Sequence, residues 1–352
     1  MGRRRQAVTI KHVAADAGVS LQTVSRVINN EPNVRPEMRD KVQASIDKLG
    51  YVPSIAAQRM SGSRSYLILA LNDRERTIAD WRARQGTDWV DQMLLGGMLE
   101  CAEQGYRLIF ELVDTHNDHV EREISAAIAA LQPDGAILTP PHSDNPKILK
   151  VLEKHKVPFA RIGAQISEKG LPAGILVSMD DEGGARMATR HLLDLGHRKI
   201  GVISGPPEYR LVAKRVEGWR AEMFAAGASV DGLLEAGDFT YASGVRAARS
   251  LLSRDDRPSA IIASNDQMAL ATVEIAEELG LAIPGDLSLV SFDNTPLVRF
   301  TRPALTAVDQ PIAETTATAV RMLIAAHRNP DADMGPVVIP MGFEVRASTG
   351  PV

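Results

Sequence analysis

The apolar residues of the first 64 positions repeat at helical spacing, whereas those that follow come in short runs. Near the N-terminus, the spacing i, i+3, i+4, i+7 predicts one face of a helix, formed by Ile10, Val13, Ala14 and Ala17. Thr9 is the expected N-cap of this helix.

Two more helices are predicted in the same segment. Gly18 ends the first helix, Ser20 can cap the second, and Pro36 suits the first position of the third. Gly50 should end the third helix just after Leu49. Two short helices joined by a glycine turn form a helix-turn-helix. The apolar face of the second helix would consist of Val24, Val27 and Ile28.

After Arg64, apolar runs alternate with helical stretches. The runs predict buried strands at Tyr66–Leu71, Arg107–Val113, Gly135–Thr139, Val157–Ile162, Ile175–Ser178, Lys199–Ser204, Ala260–Ser264 and Leu287–Phe292. The helical stretches include Asp91–Gln104, Glu121–Leu131, Glu182–Leu195 and Gln267–Leu279. This alternation predicts an α/β architecture with parallel sheets, in which ligands bind beyond the carboxyl ends of the strands.

The net charge hides an asymmetry between these two regions. The 352 residues contain 40 Lys and Arg and 44 Asp and Glu, for a formal charge of -4. Residues 1–64 hold 11 basic and 5 acidic residues, or +6, whereas the rest holds 29 and 39, or -10. A basic head on an acidic body predicts that the head alone contacts a polyanion. On charge alone, a solvated tail without a partner is an equal alternative.

Several classes of protein are disfavoured. The single cysteine, Cys101, excludes a disulfide framework and a cysteine zinc site, and its place on an apolar helix face predicts a core residue. No apolar run approaches the roughly 18 residues of a membrane span, and no secretory h-region follows the N-terminal arginines, so we expect a cytoplasmic protein without a membrane partner. The chain has no Gly-rich phosphate loop, nucleophile–base pair or metal-ligand spacing, so we expect neither a cofactor nor enzymatic activity.

The exposed face of the second helix carries side chains that suit DNA. Gln22 can pair with adenine and Arg26 with guanine in the major groove. Thr23, Ser25 and nearby backbone amides suit phosphate. The alternative is a three-helix bundle with an ordinary polar surface.

The stretches Thr9–Asn29 (TIKHVAADAGVSLQTVSRVIN) and Val42–Pro53 (VQASIDKLGYVP) closely resemble the headpiece of the lactose/galactose-repressor (LacI/GalR) family. Two departures are His12, where the family usually has Asp, and Arg35, where it usually has a capping Ser or Thr. The resemblance implies that Leu21, Gln22 and Arg26 read bases. The full DNA-contact set that we expect is Thr9, Ser20, Leu21, Gln22, Thr23, Ser25, Arg26, Asn29, Ala57 and Met60.

Residues 54–62 (SIAAQRMSG) are predicted to form a hinge helix that folds only on DNA, because so few residues make no stable helix alone. Small Ala56 and Ala57 would let two copies approach closely. In the family, a Leu at the place of Met60 wedges into a central base step of the minor groove, a contact that kinks DNA. The alternative is that Met60 packs against the body.

The body is similar to the family's core, a type I periplasmic-binding-protein-like fold of two subdomains joined by three crossovers. The resemblance rests on landmarks such as residues 180–184, 191–200, 215–219, 237–239, 264–269, 292–294 and 303–306. It implies a headpiece at 1–53, a hinge at 54–62, an N-subdomain at 63–163 and 295–327, and a C-subdomain at 164–294 and 328–352. The crossovers should fall near 163, 294 and 327.

Polar and aromatic residues near the strand ends predict a ligand cleft. Arg215 and Asp293 can form hydrogen bonds with adjacent hydroxyl groups of a ligand, or they can form an ion pair with each other. Asn265 can contact ligand or cap the next helix, whereas Asp266 is interpreted as a cap. Phe239 can cover an apolar sugar face. The other candidate effector contacts are Thr139, His142, Arg161, Gln310 and Trp89, whereas His191 and His197 are interpreted as structural.

The stretch 72–90 departs from the family, which often has a short loop there. It is longer and carries Arg74, Arg76, Trp81, Arg82, Arg84, Asp88 and Trp89. Tryptophan stacks on sugar rings and arginine binds carboxylate or phosphate, so a ligand lid is one interpretation. A loop facing solvent or a second subunit is the other. The effector therefore cannot be inferred from any relative.

These observations together predict a homodimeric transcription regulator, a repressor that binds a palindromic double-stranded DNA operator and responds to a sugar or sugar derivative. No leucine heptad is found near residue 352, so we expect dimers rather than tetramers. A regulator that needs its ligand as corepressor remains open. A sugar-binding transport protein or an enzyme using the cleft is disfavoured.

Overall fold

The computed structural model describes residues 8–28, 31, 33–51, 65–84, 86, 88–117, 119–164, 172–329 and 334–352. The chain forms two compact units, Met1–Tyr66 and Leu67–Val352. The hinge predicted at 54–62 lies outside the described residues.

The first unit contains the three predicted helices, α1 (Ile10–Ala17), α2 (Leu21–Ile28) and α3 (Pro36–Leu49). Gly18 and Gly50 adopt left-handed backbone angles, φ 66° and 59°, and end α1 and α3 as their C-caps. The small core between the helices consists of Val13, Ala14, Val24, Val27, Val42 and Tyr51. The helix-turn-helix inferred from periodicity is therefore confirmed.

The two departures from the family pattern have different consequences for capping. The backbone N–H of Thr9 donates to Nδ1 of His12 at 3.0 Å, so histidine fills the place of the acidic residue in a capping box. The cap of α2 is made by Ser20 Oγ, which accepts the N–H of Thr23 at 3.1 Å. Arg35 makes no side-chain cap, and α3 begins instead with Pro36.

The second unit contains two six-stranded sheets. The first sheet consists of β1 (Leu67–Asp73), β2 (Arg107–Val113), β3 (Gly135–Leu138), β4 (Phe159–Ile162), β5 (Ile175–Met179) and β11 (Val337–Ile339). Its strands lie in the order β11-β5-β4-β3-β1-β2, and each is parallel to its neighbours. The second sheet consists of β6 (Ile200–Ser204), β7 (Leu234–Ala236), β8 (Ala260–Ala263), β9 (Ser288–Asp293), β10 (Thr306–Asp309) and β12 (Gly342–Glu344). Its strands lie in the order β12-β10-β9-β8-β6-β7. Only β12 is antiparallel to its neighbour among the pairings of the described residues.

Helices separate most of these strands: α4 (Arg74–Ala83), α5 (Asp88–Glu103), α6 (Val120–Leu131), α7 (Pro146–Lys154), α8 (Asp181–Asp194), α9 (Arg210–Ala225), α10 (Tyr241–Leu252), α11 (Asp266–Glu278), α12 (Leu297–Phe300) and α13 (Ile312–Arg328). The predicted α/β architecture is confirmed. Among the described residues, no helix is both long enough and apolar enough to cross a membrane.

The stretch 72–90 is mostly helical, so its interpretation as a loop was wrong. Asp73 starts α4 by accepting the N–H of Arg76 at 2.7 Å, and Arg84 ends it at φ 56°. Its sequence, RERTIADWRA, has no clear apolar face, which is why periodicity missed it.

The crossovers lie later in the chain than expected. The chain crosses from one sheet to the other at residue 180, at 310–311 and at 340–341, rather than near 163, 294 and 327 as expected. Strand β5 pairs in parallel with β4, with Ala160 opposite Ile175, and this ladder keeps 175–179 in the first sheet. Likewise, β10 continues the second sheet beside β9, so residues 306–309 belong there.

Several residues have structural roles in packing or in hydrogen bonds within the second unit. A Cβ on Gly96 of α5 would lie 1.9 Å from the carbonyl oxygen of Ala313, so the close approach of α5 and α13 requires glycine. Cys101 is buried, and burial raises the pKa of its thiol to about 12. His191 bonds Thr349 at 2.9 Å, and His197 lies 2.8 Å from the hydroxyl oxygen of Ser259, so both are structural as interpreted.

Candidate functional site

The exposed side of α2 presents the three expected base readers together. Leu21, Gln22 and Arg26 are exposed, whereas Val24 and Val27 on the other side are buried in the small core. Nε of Arg26 lies 3.5 Å from a carboxylate oxygen of Glu31. Because both side chains are about half exposed, this ion pair is weak and a guanine edge can displace it.

The other expected DNA contacts lie at the N-terminus of α1, at the N-terminus of α2, within α2, or outside the described residues. Thr9 and Ser20 are exposed at the N-termini of α1 and α2, where backbone N–H groups favour phosphate. Thr23 and Ser25 are half-buried on α2. Asn29, Ala57 and Met60 lie outside the described residues, so their DNA contacts stay predictions.

The second unit contains a cleft with a cavity volume of about 120 Å³ that is open to solvent on one side. Its walls come from the carboxyl ends of strands in both sheets, where parallel α/β proteins bind ligands. Seven of the nine candidate effector residues line it, namely Thr139, Trp89, Arg215, Phe239, Asn265, Asp293 and Gln310.

Arg215 is buried in the cleft wall and bonded on two sides. Its Nε donates to Oδ1 of Asp181 at 2.8 Å, and its Nη1 donates to the carbonyl of Ser264 at 2.7 Å. The guanidinium also lies 4.3 Å from the ring centroid of Phe292. Its ion-pair partner is therefore Asp181 rather than Asp293. Burial raises the pKa of Asp181, and the neighbouring charge of Arg215 opposes that rise.

Asp293 ends β9 with a left-handed backbone, φ 91°, a conformation that side-chain-bearing residues rarely adopt. Nε2 of Gln310 donates to its Oδ1, and the N–H of Asp266 lies 3.5 Å from its Oδ2. Burial raises the pKa of Asp293, and Arg215 opposes this. Such backbone strain is typical of ligand-binding positions.

Asn265 caps α11, and Asp266, which we had interpreted as a cap, does not. Oδ1 of Asn265 accepts the N–H of Met268 at 2.9 Å, and its Nδ2 donates to the carbonyl of Phe239 at 2.8 Å. Asp266 is the first residue of α11, and its carboxylate instead accepts the N–H of Thr295 at 2.7 Å and the hydroxyl of Ser291. Burial raises the pKa of Asp266 to about 8, and the negative charge of Asp293 adds to the shift.

Aromatic side chains form another part of the wall. The rings of Phe239 and Tyr209 meet edge to face, with centroids 5.5 Å apart. Arg76 of α4 lies 5.3 Å from the centroid of Phe239 and donates to the carbonyl of Asp238 at 3.1 Å, so it joins the two walls. Half-buried Trp89 at the start of α5 completes this side.

The two remaining candidates, His142 and Arg161, are not among the residues that line the cleft. Arg161 is occupied elsewhere, because its Nε donates to the carbonyl of Ser143 at 2.7 Å and its Nη2 pairs with Asp144. His142 is buried with Nε2 3.8 Å from Oδ2 of Asp73, and burial lowers the pKa of its ring. We therefore leave both out of the effector set proposed below.

The charged stretch 72–90 contributes to the wall through only some of its members. Arg76, Asp88 and Trp89 line the cleft. Arg74 points elsewhere, donating to the carbonyl of Leu112 at 3.1 Å, and Trp81 packs 5.9 Å from Phe110. The wall also contains residues that sequence reasoning missed, including Asp80, Tyr209, Gln267 and Thr295. For Tyr209, which lies between β6 and α9, no sequence signal was available.

The cleft offers hydrogen-bonding side chains, two carboxylates at the ends of strands and aromatic faces, which together suit a small polyhydroxylated ligand. Within the described residues, no group of three or more His, Cys, Asp or Glu side chains could hold a metal ion.

Comparisons with known proteins cover nearly the whole chain. The family model "Bacterial regulatory proteins, lacI family" matches residues 9–54, and the model "Periplasmic binding protein-like domain" matches residues 189–349. Catabolite control protein A of Priestia megaterium is 32% identical over 344 residues, which is 97% of this chain and 99% of that protein.

Two solved structures are similar to the chain over almost their full length. A complex of the transcriptional regulator CelR with cellobiose has a TM-score of 0.71 and 29% identity, and the match covers 97% of this chain and 99% of CelR. A Lac repressor dimer bound to operator and the anti-inducer ONPF has a TM-score of 0.75 and 25% identity, covering 98% of this chain and 100% of the repressor chain.

Proposed function

Because the chain belongs to the lacI family of bacterial regulatory proteins, we propose that it is a repressor that binds a palindromic operator as a homodimer. It is a DNA-binding regulator of transcription with a ligand-binding core, not an enzyme. In the proposal, residues 1–53 read DNA, 54–62 form the hinge, and 63–352 bind the effector and the second subunit. A sugar or sugar derivative in the cleft releases the operator.

The observation that carries the proposal is the pairing of two features in one chain. One is the exposed face of α2 with Leu21, Gln22 and Arg26. The other is the two-walled cleft with Arg215 and Asp293. A ligand that touches both walls favours one arrangement of the two sheets. That preference, transmitted to the headpieces, is the coupling free energy that makes the protein an allosteric regulator.

The proposed effector contacts are the seven candidates that line the cleft. Asn265 and Gln310 supply amide donors and acceptors, and Asp293 supplies a carboxylate. Phe239 and Trp89 supply apolar faces on which a sugar ring can stack. The solved complex of CelR with cellobiose supports a carbohydrate as the class of effector.

Selection of DNA by the full chain tests the proposal. The purified protein, incubated with a random duplex library, is expected to enrich an inverted repeat, because two-fold symmetry in a dimer matches symmetry in the operator. Adding a panel of sugars to a gel shift with that operator then shows whether one of them releases the protein. Enrichment of a single half-site, or tighter DNA binding with the sugar, would contradict the dimer or the direction of control, respectively.

An apolar patch on α5 supports the homodimer. Leu95, Met98 and Leu99 are 47%, 57% and 58% exposed and lie on one helix face at the spacing i, i+3, i+4. Exposed apolar side chains clustered in this way are typical of subunit interfaces. We propose that this patch meets the same patch of a second copy, as two-fold symmetry requires.

Leu99→Glu is expected to weaken the dimer by about 2 kcal/mol or more, roughly 30-fold, because the substitution buries a charge at the interface. Analytical ultracentrifugation over a concentration series measures the change. Phe224→Glu is the matched control, since Phe224 is an apolar residue that is 86% exposed on a different helix, α9. If Leu99→Glu leaves the dimer intact, α5 is not the interface.

A further inference from the structure

The cleft carries more carboxylates than cations. Among the described residues, five aspartates line it, at positions 73, 80, 88, 266 and 293, and two arginines, at 76 and 215. Both arginines already have carboxylate partners, since Arg215 pairs with Asp181 at 2.8 Å and Arg76 with Asp80 at 3.6 Å. Across the part of the chain that the structure describes, no ion pair within 4 Å joins Asp88 or Asp293 to a cation.

Asp88 and Asp293 come from opposite walls of the cleft. Asp88 begins α5 beside the first sheet, and Asp293 ends β9 of the second sheet. Burial raises the pKa of both carboxyl groups; at Asp293 the positive charge of Arg215 opposes that rise, and the negative charge of Asp88 adds to it. Two carboxyl groups without an ion-pair partner therefore line the same space, and a cation between them would stabilise their charged forms.

An unsatisfied acceptor lies on the same wall. Gln310 is only 8% exposed; its Nε2 donates to Asp293, and its Oε1 has no hydrogen-bond partner. A buried acceptor left unpaired costs about 1–3 kcal/mol, so a ligand that donates hydrogen bonds here gains affinity.

We propose that the effector carries a protonated amine together with hydroxyl groups, as an amino sugar does, and that its ammonium group lies between Asp88 and Asp293. This proposal rests on the proposed function only in taking the cleft as the effector site. An ammonium group supplies three donors and one positive charge, which meet the facing carboxylates and the acceptor of Gln310 together. An anionic ligand fits poorly, since the carboxylate partners of Arg76 and Arg215 already offset their charge.

Calorimetric titration of the full-length protein with matched sugars tests the inference. The probes are D-glucosamine, D-galactosamine and D-mannosamine, each compared with its parent sugar and with its uncharged N-acetyl derivative. We expect one amino sugar to bind at least about tenfold more tightly than both uncharged partners, in line with the strength of charge-assisted hydrogen bonds. Asp88→Asn should remove this preference, while Glu103→Gln, which changes an exposed carboxylate at the other end of the same helix, should retain it.

Three results would overturn the inference: a parent sugar or N-acetyl derivative that binds as tightly as its amine, no binding by any of the three amines, or a preference unchanged in Asp88→Asn. A neutral sugar that binds and releases the operator would overturn only this inference and support the proposed function. Failure to enrich an operator from the DNA library would count against the proposed function, whatever the sugars do.

Discussion

Arg215→Ala is expected to lower the free energy of unfolding of the second unit by about 3–5 kcal/mol, because it leaves the carboxylate of Asp181 buried without its partner. Both side chains are almost completely buried and bonded at 2.8 Å. The substitution also removes the donor to the carbonyl of Ser264 and the cation over the ring of Phe292. Urea unfolding measures the loss of stability, and an operator gel shift with the effector measures the loss of response.

A second variant separates folding from binding. Arg215→Met combined with Asp181→Leu replaces the buried pair with apolar side chains, a change that is often close to neutral for stability. If Arg215 contributes to the effector site, the double variant folds but responds weakly. Lys214→Ala is the matched control on the same helix, because its ion pairs are exposed and should contribute less than about 1 kcal/mol. A double variant with a normal response would show that Arg215 is not an effector contact.

The sequence predicted those parts of the fold that have strong local signals. Gly18, Gly50 and Pro36 mark helix ends by their backbone preferences, and they delimited all three helices of the first unit. The eight predicted strands lie within two residues of their observed ends, whereas the four-residue strand β10 was not predicted. Strands β7, β11 and β12 have only three residues each, which is too few for any period to be seen.

Sheet membership could not be predicted, because it depends on hydrogen bonds between distant strands. The apolar runs of β4 and β5 are alike, and the sequence contains no signal that Ala160 pairs with Ile175. The family resemblance alone predicts the crossovers, and it places them too early in the chain. Helix α4 was missed for a different reason, since its polar sequence is held by the Asp73 cap and by contacts such as that of Arg76 with Asp238.

The rule that ligands bind at strand ends led to Thr139, Asn265 and Asp293, and these three residues line the cleft. The same rule suggested Arg161, but that side chain is occupied by Ser143 and Asp144. Side-chain direction depends on the neighbouring segments, which a single strand does not reveal. The cap assigned to Asp266 failed by one residue, since Asn265 and Asp266 have similar capping preferences.

Gln22→Ala and Arg26→Ala are each expected to weaken operator binding by about 1–3 kcal/mol per subunit, roughly 5- to 150-fold for each half-site, because each removes a side chain that can bond a base edge. Both residues are exposed on α2, so the headpiece should stay folded, as its circular dichroism would show. The loss should be specific to sequence. Each variant should bind an operator that is changed, in both half-sites, at the base pair read by the missing side chain as tightly as it binds the original operator.

Lys11→Ala is the informative contrast for these two variants. Lys11 is exposed on α1 and belongs to the +6 head, so its contribution is expected to be electrostatic and blind to sequence. Removing it should weaken all duplexes alike and reduce the dependence of log K on log salt by about 1 for each subunit, or about 2 for a dimer, whereas the α2 variants should leave that slope nearly unchanged. If Gln22→Ala and Arg26→Ala behave like Lys11→Ala, with equal losses on every duplex, then α2 contacts only the backbone. Base reading would then have to come from another part of the first unit.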